Sequence, residues 1–181
     1  MTYEIVLEGF GGQGILFLGK MIALAGMIDG KEVSWIPSYG PEMRGGTANC
    51  SVVVSDRRIG TPVVNHPNVL VAMNRPSLEK FEPMMQAGGH LLINKTLIEI
   101  PHTRTDIDVT YAEITGLAGD IGNPRLANVV ALGALIGRVG LVGRGAVVEA
   151  LNKELAGTKA ALLELNLKAL DAGMQAVAVS A

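Results

Sequence analysis

Residues 3–28 read YEIVLEGFGGQGILFLGKMIALAGMI, and the fold turns on how they are read. Tyr3 to Glu8 is a short run centred on Ile5, Val6 and Leu7, the composition of a buried strand. Residues 15–28 are mostly good helix formers without a proline. Between the two, Gly9, Gly11 and Gly14 stand at the spacing G-x-G-x-x-G. Glycines at such a turn permit positive φ and close approach, and the helix start offers free N–H groups to an anion. The stretch therefore reads as a strand, a glycine turn and a helix, a Rossmann-like first βα unit. Dinucleotide binding asks for more: an acidic residue about 20 positions on, at the end of the second strand, to hold the ribose hydroxyls. Asp29 has roughly that offset but falls at the expected helix end, before a strand over Glu32 to Ile36. That strand runs into Pro37-Ser38-Tyr39-Gly40-Pro41, with no carboxylate. The glycines argue for the turn and not for NAD.

Beyond this unit the chain alternates between the two periodicities. Thr47 to Ser55 (TANCSVVVS) reads as a strand, and Asn68 to Met73 (NVLVAM) as a buried one. Arg75 to Ala87 looks helical, with Pro76 in its first turn, Gly88-Gly89 ending it, and Pro83 placed to kink or split it. His90 to Asn94 is the next strand; Thr96 to Ile100 and Ile107 to Tyr111 look like short ones, with a helical turn or two over Ala112 to Leu117. Asn123-Pro124 is a helix start, Asn as N-cap and Pro at the first position. The helix after it, RLANVVALGALIGRV, is apolar nearly all round, so it is expected to be buried in its own core or in an interface. Two more helices are expected over Arg144 to Leu155 and Thr158 to Ala176. Strands alternating with helices give an α/β class, a three-layer α/β/α sandwich on a mostly parallel or mixed central sheet, with one domain over residues 1–181.

Bulk numbers narrow the function. A chain of 181 residues is a one-domain length that buries about 70% of its unfolded surface. A net charge of −2 gives no basic footprint for nucleic acid and no polybasic membrane signal. The one cysteine, Cys50, cannot by itself hold zinc or an iron–sulfur cluster, and in its apolar strand a buried, inert thiol is expected. His66, His90 and His102 are scattered without ligand spacing, and Met43, Met84 and Met85 are expected to fill gaps in the core. No apolar run reaches the length of a membrane span, and no secretory signal is visible, so a soluble, reduced, cytoplasmic setting is expected. Only 18% of residues are charged and the mean hydropathy is +0.35, against about 25% charged in an average chain. The apolar surplus suits a sheet covered on both faces together with a surface hidden by a partner.

The informative loop is residues 37–51, PSYGPEMRGGTANCS. It is dense in Gly and Pro, carries Tyr39, Glu42, Arg44 and Asn49, and follows the second strand, where α/β sheets place their ligands. The GFGGQG turn and the SYGPEMRGG loop together resemble the gamma subunit, or gamma domain, of 2-oxoacid:ferredoxin oxidoreductases. The stretches Asn74-Arg75-Pro76-Ser77, Gly122-Asn123-Pro124-Arg125, Asn128 and Leu132-Gly133-Ala134-Leu135 look like the same family, so the resemblance covers at least Tyr3 to Arg138. The TANC ending looks more like the 2-oxoglutarate or branched-chain members than the pyruvate ones.

The resemblance implies a complex that converts a 2-oxoacid and coenzyme A to acyl-CoA and CO2 while reducing ferredoxin. It implies thiamine diphosphate, magnesium and 4Fe–4S clusters held mainly by alpha, beta and possibly delta partner subunits, with no catalytic residue and no metal ligand on this chain. The candidate cofactor-binding residues are Gly9, Gly11, Gly12, Gln13 and Gly14 in the turn. In the loop they are Ser38, Tyr39, Gly40, Pro41, Glu42, Arg44, Gly45, Gly46 and Asn49. Arg44 beside two glycines suits a coenzyme A phosphate or a partner carboxylate through its planar fork. The glycines serve equally as a plain tight turn, and Gln13 suits a subunit contact or an internal bond. A homodimer is expected for the isolated chain. Two other readings stay open: a free-standing Rossmann-type nucleotide-binding oxidoreductase, and a purely structural assembly subunit.

Overall fold

The computed structural model describes residues 1–38, 47–157 and 162–178. Its strands are β1 (Thr2–Phe10), β2 (Glu32–Ser38), β3 (Thr47–Ser55), β4 (Val69–Ala72), β5 (His90–Asn94) and β6 (Asp108–Ala112). Its helices are α1 (Ile15–Ile28), α2 (Arg75–Phe81), α3 (Ile114–Asp120), α4 (Ala127–Val139), α5 (Arg144–Glu154) and α6 (Leu163–Ala178). The sheet order is β2-β3-β1-β4-β5-β6. β1, β4, β5 and β6 are parallel neighbours, whereas β3 runs antiparallel between β2 and β1. The α/β class and the mixed sheet agree with the sequence.

The position of β3 follows from chain length. Residues 39–46 are too few for a crossover helix, so β3 can only turn back against β2. β2 also runs on through Pro37 to Ser38, beyond the stop expected at Ile36. It is an edge strand, where a missing N–H breaks no ladder.

Alternation along the strands builds two cores. Ile5, Leu7, Val52, Val54, Val69, Val71 and Leu92 face α1 and α3–α6. Val6, Leu70, Ala72, Leu91 and Ile93 face Leu78 of α2, Met85 and Ile98. Pro83 splits the expected long helix into α2 and a 3-10 turn at Glu82–Met84, because proline has no N–H to continue the ladder. Met85 is core, while Met84 is exposed. Thr96 to Ile100 is not a strand. Leu97 and Ile98 N–H both fold back onto the Asn94 carbonyl, a turn that drops Ile98 into the second core. Asn123 accepts from Arg125 N–H as expected of a cap, but the first turn is 3-10 before α4 begins.

α4 is buried from Ala127 to Ile136, and its cover comes from within the chain. α6 lies across it so closely that a Cβ on Gly133 would meet the Leu170 carbonyl at 2.0 Å, and one on Gly173 the Val130 carbonyl at 2.0 Å. The small-residue profile thus serves an intramolecular crossing, which removes α4 as the basis for a homodimer. Thr158, the expected cap of the last helix, lies outside the described residues.

Candidate functional site

β1 hands the chain to α1 on the first face of the sheet, and its neighbour β4 hands it to α2 on the second. Two adjacent parallel strands whose connections leave on opposite sides make a topological switch point, and a crevice opens outside their carboxyl ends. The Gly9–Gly14 turn forms one wall. Gly12 and Gly14 have φ of 95° and 74°, left-handed values that favour glycine. Gly9 is required for space: a Cβ there would sit 2.5 Å from Gln13 Oε1 and 2.9 Å from both Ile15 Cδ1 and Met73 Cβ. Gln13 closes the turn from inside. Phe10 N–H donates to its Oε1 at 2.6 Å, and its Nε2 donates to the Met73 carbonyl at 3.4 Å. Asn128, at the start of α4, donates to the Gly14 carbonyl at 3.5 Å. The wall therefore includes a stapled strand–helix turn, with the first-turn N–H groups of α1 at its rim.

The opposite wall is built by asparagines at strand ends. Asn74 caps α2, its Oδ1 accepting from Ser77 N–H at 2.9 Å and from Ser77 Oγ at 2.6 Å. Asn94 donates to the Met73 carbonyl at 3.3 Å and to Thr115 Oγ1 at 2.9 Å. Gln13 and Asn94 thus converge on one carbonyl and tie β1, β4, β5 and α3 together at the crevice.

Glu8 lies beneath, and it was not singled out from the sequence. It is wholly buried on the second face, paired across the sheet with Asn49 and Ala72. Neither carboxylate oxygen has a hydrogen-bond donor in good geometry among the described residues, and the Asn74 Nδ2 likewise lacks an acceptor. Burial pushes the Glu8 carboxyl above the usual carboxylate range. The Lys80 charge, at 3.7 Å, and the Thr47 hydroxyl pull it part of the way back. Glu8 shares its alternation with Glu4 in the same strand, so the sequence alone does not set it apart.

Ser38 and Asn49 are register partners, and Asn49 in turn pairs with Glu8. Phe10 pairs with Thr47. β1 and β2 both run against β3, so they end at the same end of the sheet, and Ser38 and Thr47 lie at the end that carries the glycine turn. Of the sequence candidates, Gly9, Gly11, Gly12, Gln13, Gly14, Ser38 and Asn49 are brought to this end. Tyr39, Gly40, Pro41, Glu42, Arg44, Gly45 and Gly46 lie outside the described residues. Of the two strands beside β1, β3 is antiparallel and the parallel β4 runs into Met73-Asn74, so neither delivers a carboxylate to the turn as a dinucleotide site requires. Cys50 is buried, donates to the Ile15 carbonyl at 3.6 Å, and burial pushes its thiol up to about 12. Among the described residues no three His, Cys, Asp or Glu side chains gather as a metal site, and no helix is long and apolar enough to cross a membrane.

Residues 4–176 match the family model described as pyruvate ferredoxin/flavodoxin oxidoreductase. The ketoisovalerate oxidoreductase subunit VorA of Methanothermobacter thermautotrophicus is 38% identical over 95% of this chain. The chain spans 36% of that relative's length. The 2-oxoglutarate synthase subunit KorC of Methanothermobacter marburgensis is 34% identical, covering 98% of this chain and 97% of its own. Among solved structures, the gamma subunit of a keto/oxoacid ferredoxin oxidoreductase from Geobacter sulfurreducens superposes with a TM-score of 0.86 at 31% identity, over 99% of this chain and 98% of that one. The glycine turn and these likenesses agree: the chain belongs to the pyruvate ferredoxin/flavodoxin oxidoreductase family, as a homologue of its gamma subunits.

Proposed function

We propose that this chain is the gamma component of a multi-subunit, thiamine-dependent 2-oxoacid:ferredoxin oxidoreductase, which makes acyl-CoA and CO2 from a 2-oxoacid and coenzyme A and reduces ferredoxin. The observation that carries the reading is the near end-to-end match to a relative of the same size, the 2-oxoglutarate synthase subunit. The chain acts as one gamma domain over residues 1–181 and is inactive alone. Its residues do not fit the redox groups. A 4Fe–4S cluster needs a set of thiolates, whereas the one cysteine is buried with its thiol near 12. Thiamine diphosphate, magnesium and the clusters therefore sit on alpha, beta and possibly delta partner subunits.

The switch-point crevice is this chain's contribution. Rim N–H groups of α1 suit an oxyanion, and the loop anchored at Ser38 and Thr47 supplies Arg44. Arg44 grips a coenzyme A phosphate or a partner carboxylate. The substrate is a branched-chain 2-oxoacid or 2-oxoglutarate, supported by the Thr47-Ala48-Asn49-Cys50 sequence and by the two relatives above.

The test is to co-express the chain with its partner subunits and follow ferredoxin reduction with 3-methyl-2-oxobutanoate, 2-oxoglutarate and pyruvate. One of the first two should be preferred, and leaving out this chain should abolish activity. A complex that assembles and turns over normally without it would end the proposal. Arg44→Lys should cost about 10- to 100-fold in the step the contact supports, since charge-assisted bonds are worth about 1.5–3 kcal/mol. A raised KM for coenzyme A marks the phosphate, and weakened co-purification the partner carboxylate.

A further inference from the structure

We infer that Asn94 is a positioning residue for the glycine turn, acting through the Met73 carbonyl that it shares with Gln13. The inference rests on the crevice reading above and names a side chain that holds the wall in place.

Asn94 ends β5, after the apolar run Leu91-Leu92-Ile93, and it is wholly buried. A buried amide is costly unless it is bonded, and here the donors and the acceptor oxygen are all engaged. Nδ2 donates to the Met73 carbonyl at 3.3 Å and to Thr115 Oγ1 at 2.9 Å, while Oδ1 accepts from Thr115 N–H at 3.3 Å. A leucine of nearly the same shape would fill the space without desolvating an amide, so burial alone does not call for asparagine. What the amide adds is a link from the start of α3 to the end of β4.

Met73 carries that link to the turn. It follows the last residue of β4, and its N–H still bonds the Glu8 carbonyl at 2.9 Å. Its own carbonyl lies past the ladder and receives Asn94 Nδ2 at 3.3 Å and Gln13 Nε2 at 3.4 Å, one for each lone pair. The Met73 Cβ is also a wall of the turn, 2.9 Å from where a Cβ on Gly9 would stand. Gln13 passes the constraint on: its Oε1 accepts from Phe10 N–H at 2.6 Å, and its backbone N–H donates to the Phe10 carbonyl at 3.1 Å. The series Thr115–Asn94–Met73–Gln13–Phe10 thus crosses from β5 over β4 to β1 at one end of the sheet. Without Asn94 the Met73 carbonyl is held from the β1 side only, and the turn that leads into α1 loses its fixed reference.

Asn94→Leu keeps the buried volume and cuts the link, and Asn94→Ala is the second variant. Thr96→Ala is the control, because the Thr96 hydroxyl accepts from Gly116 N–H on α3 without reaching Met73. The first readout is hydrogen exchange of the Phe10 amide in the isolated full chain. It should quicken by about tenfold in both Asn94 variants, the equivalent of one net hydrogen bond, with Gln13→Ala setting the ceiling and Thr96→Ala matching wild type. Amides from Ala131 to Leu135 in α4 should not quicken by the same factor; a uniform rise across the chain would mean lost stability alone and would overturn the proposal. Unaltered Phe10 exchange would overturn it as well, and would leave the gamma-component reading standing. The second readout uses the complex co-expressed with its partner subunits. Asn94→Leu should raise the KM for coenzyme A, as Gln13→Ala does, with kcat unchanged. Faster Phe10 exchange with normal kinetics would uphold Asn94 as the anchor of the turn and remove the crevice from coenzyme A binding.

Discussion

Replacing Gly173 with alanine should break the closest helix crossing in the molecule. The new Cβ would lie 2.0 Å from the Val130 carbonyl oxygen and 2.8 Å from Ala134 N. Carbon and a non-bonded heavy atom prefer about 3.5 Å, so α6 must retreat from α4 by more than 1 Å. The obstacle is backbone and cannot rotate away. A radial gap of 0.5–1 Å already forfeits about a quarter to a half of each dispersion contact, and overpacked cores lose about 1–3 kcal/mol, sometimes more. Helix propensity returns about 1 kcal/mol for Gly to Ala. With the rigid backbone clash at the upper end of that range, the net loss of about 2 kcal/mol lowers Tm by about 4–8 °C at this chain length. Gly145→Ala is the internal control, because that helical glycine has nothing within 4 Å of a Cβ; it should be neutral or gain about 0.5 kcal/mol. Urea and thermal unfolding of the three proteins provide the measurement. If Gly173→Ala matches wild type, or if both variants fall equally, the crossing does not govern stability and the assignment of α4 to the core fails.

Three further outcomes are expected. Glu8→Gln should stabilise the isolated chain at neutral pH. A carboxyl whose folded pKa is raised carries no penalty below its unfolded value, one that grows as pH rises from the unfolded to the folded value, and a constant one above; identical stability–pH curves for the two proteins would rule this out. Cys50 should resist iodoacetamide at pH 8 in the native chain and react once unfolded, since only the thiolate attacks and burial holds the thiol near 12; rapid native labelling counts against it. Gln13→Ala removes the acceptor for Phe10 N–H and the donor to the Met73 carbonyl, so it should cost about 1–2 kcal/mol in chemical denaturation, and no loss would mean the side chain is not the staple.

How much of this could be read from the sequence depended on whether the cause was local. The first βα unit, the capping Asn123, the break at Pro83 and the burial of α4 each follow from residues within a turn or two, and each is found. The burial of Glu8 was not legible, because its neighbours Asn49, Ala72 and Lys80 are distant in sequence. α4 was expected to be buried in its own core or in an interface, and the first of these is found. The surplus there is spent inside the chain, on the α4–α6 crossing through Gly133 and Gly173. Thr96 to Ile100 misled for a similar reason: alternating Ile and polar residues fit a strand, but the Asn94 carbonyl captures the N–H groups of Leu97 and Ile98 first.

The glycine turn shows why a fingerprint can be present in full without its customary ligand. G-x-G-x-x-G encodes a strand that turns tightly into a helix, and the requirements for φ and for space at Gly9, Gly12 and Gly14 are met here by protein atoms alone. What makes that turn a dinucleotide site is a second parallel strand beside β1 with an acid at its end. In this chain one neighbour, β3, is reversed by the short return from β2 and sets Thr47 opposite Phe10, while the parallel neighbour, β4, runs into Met73-Asn74 with no carboxylate. Gln13 then fills the turn from within, and β3 brings the ends of the Ser38–Thr47 segment against the crevice. The antiparallel β3 thus takes a place beside the turn that a parallel, acid-tipped strand holds in a dinucleotide site.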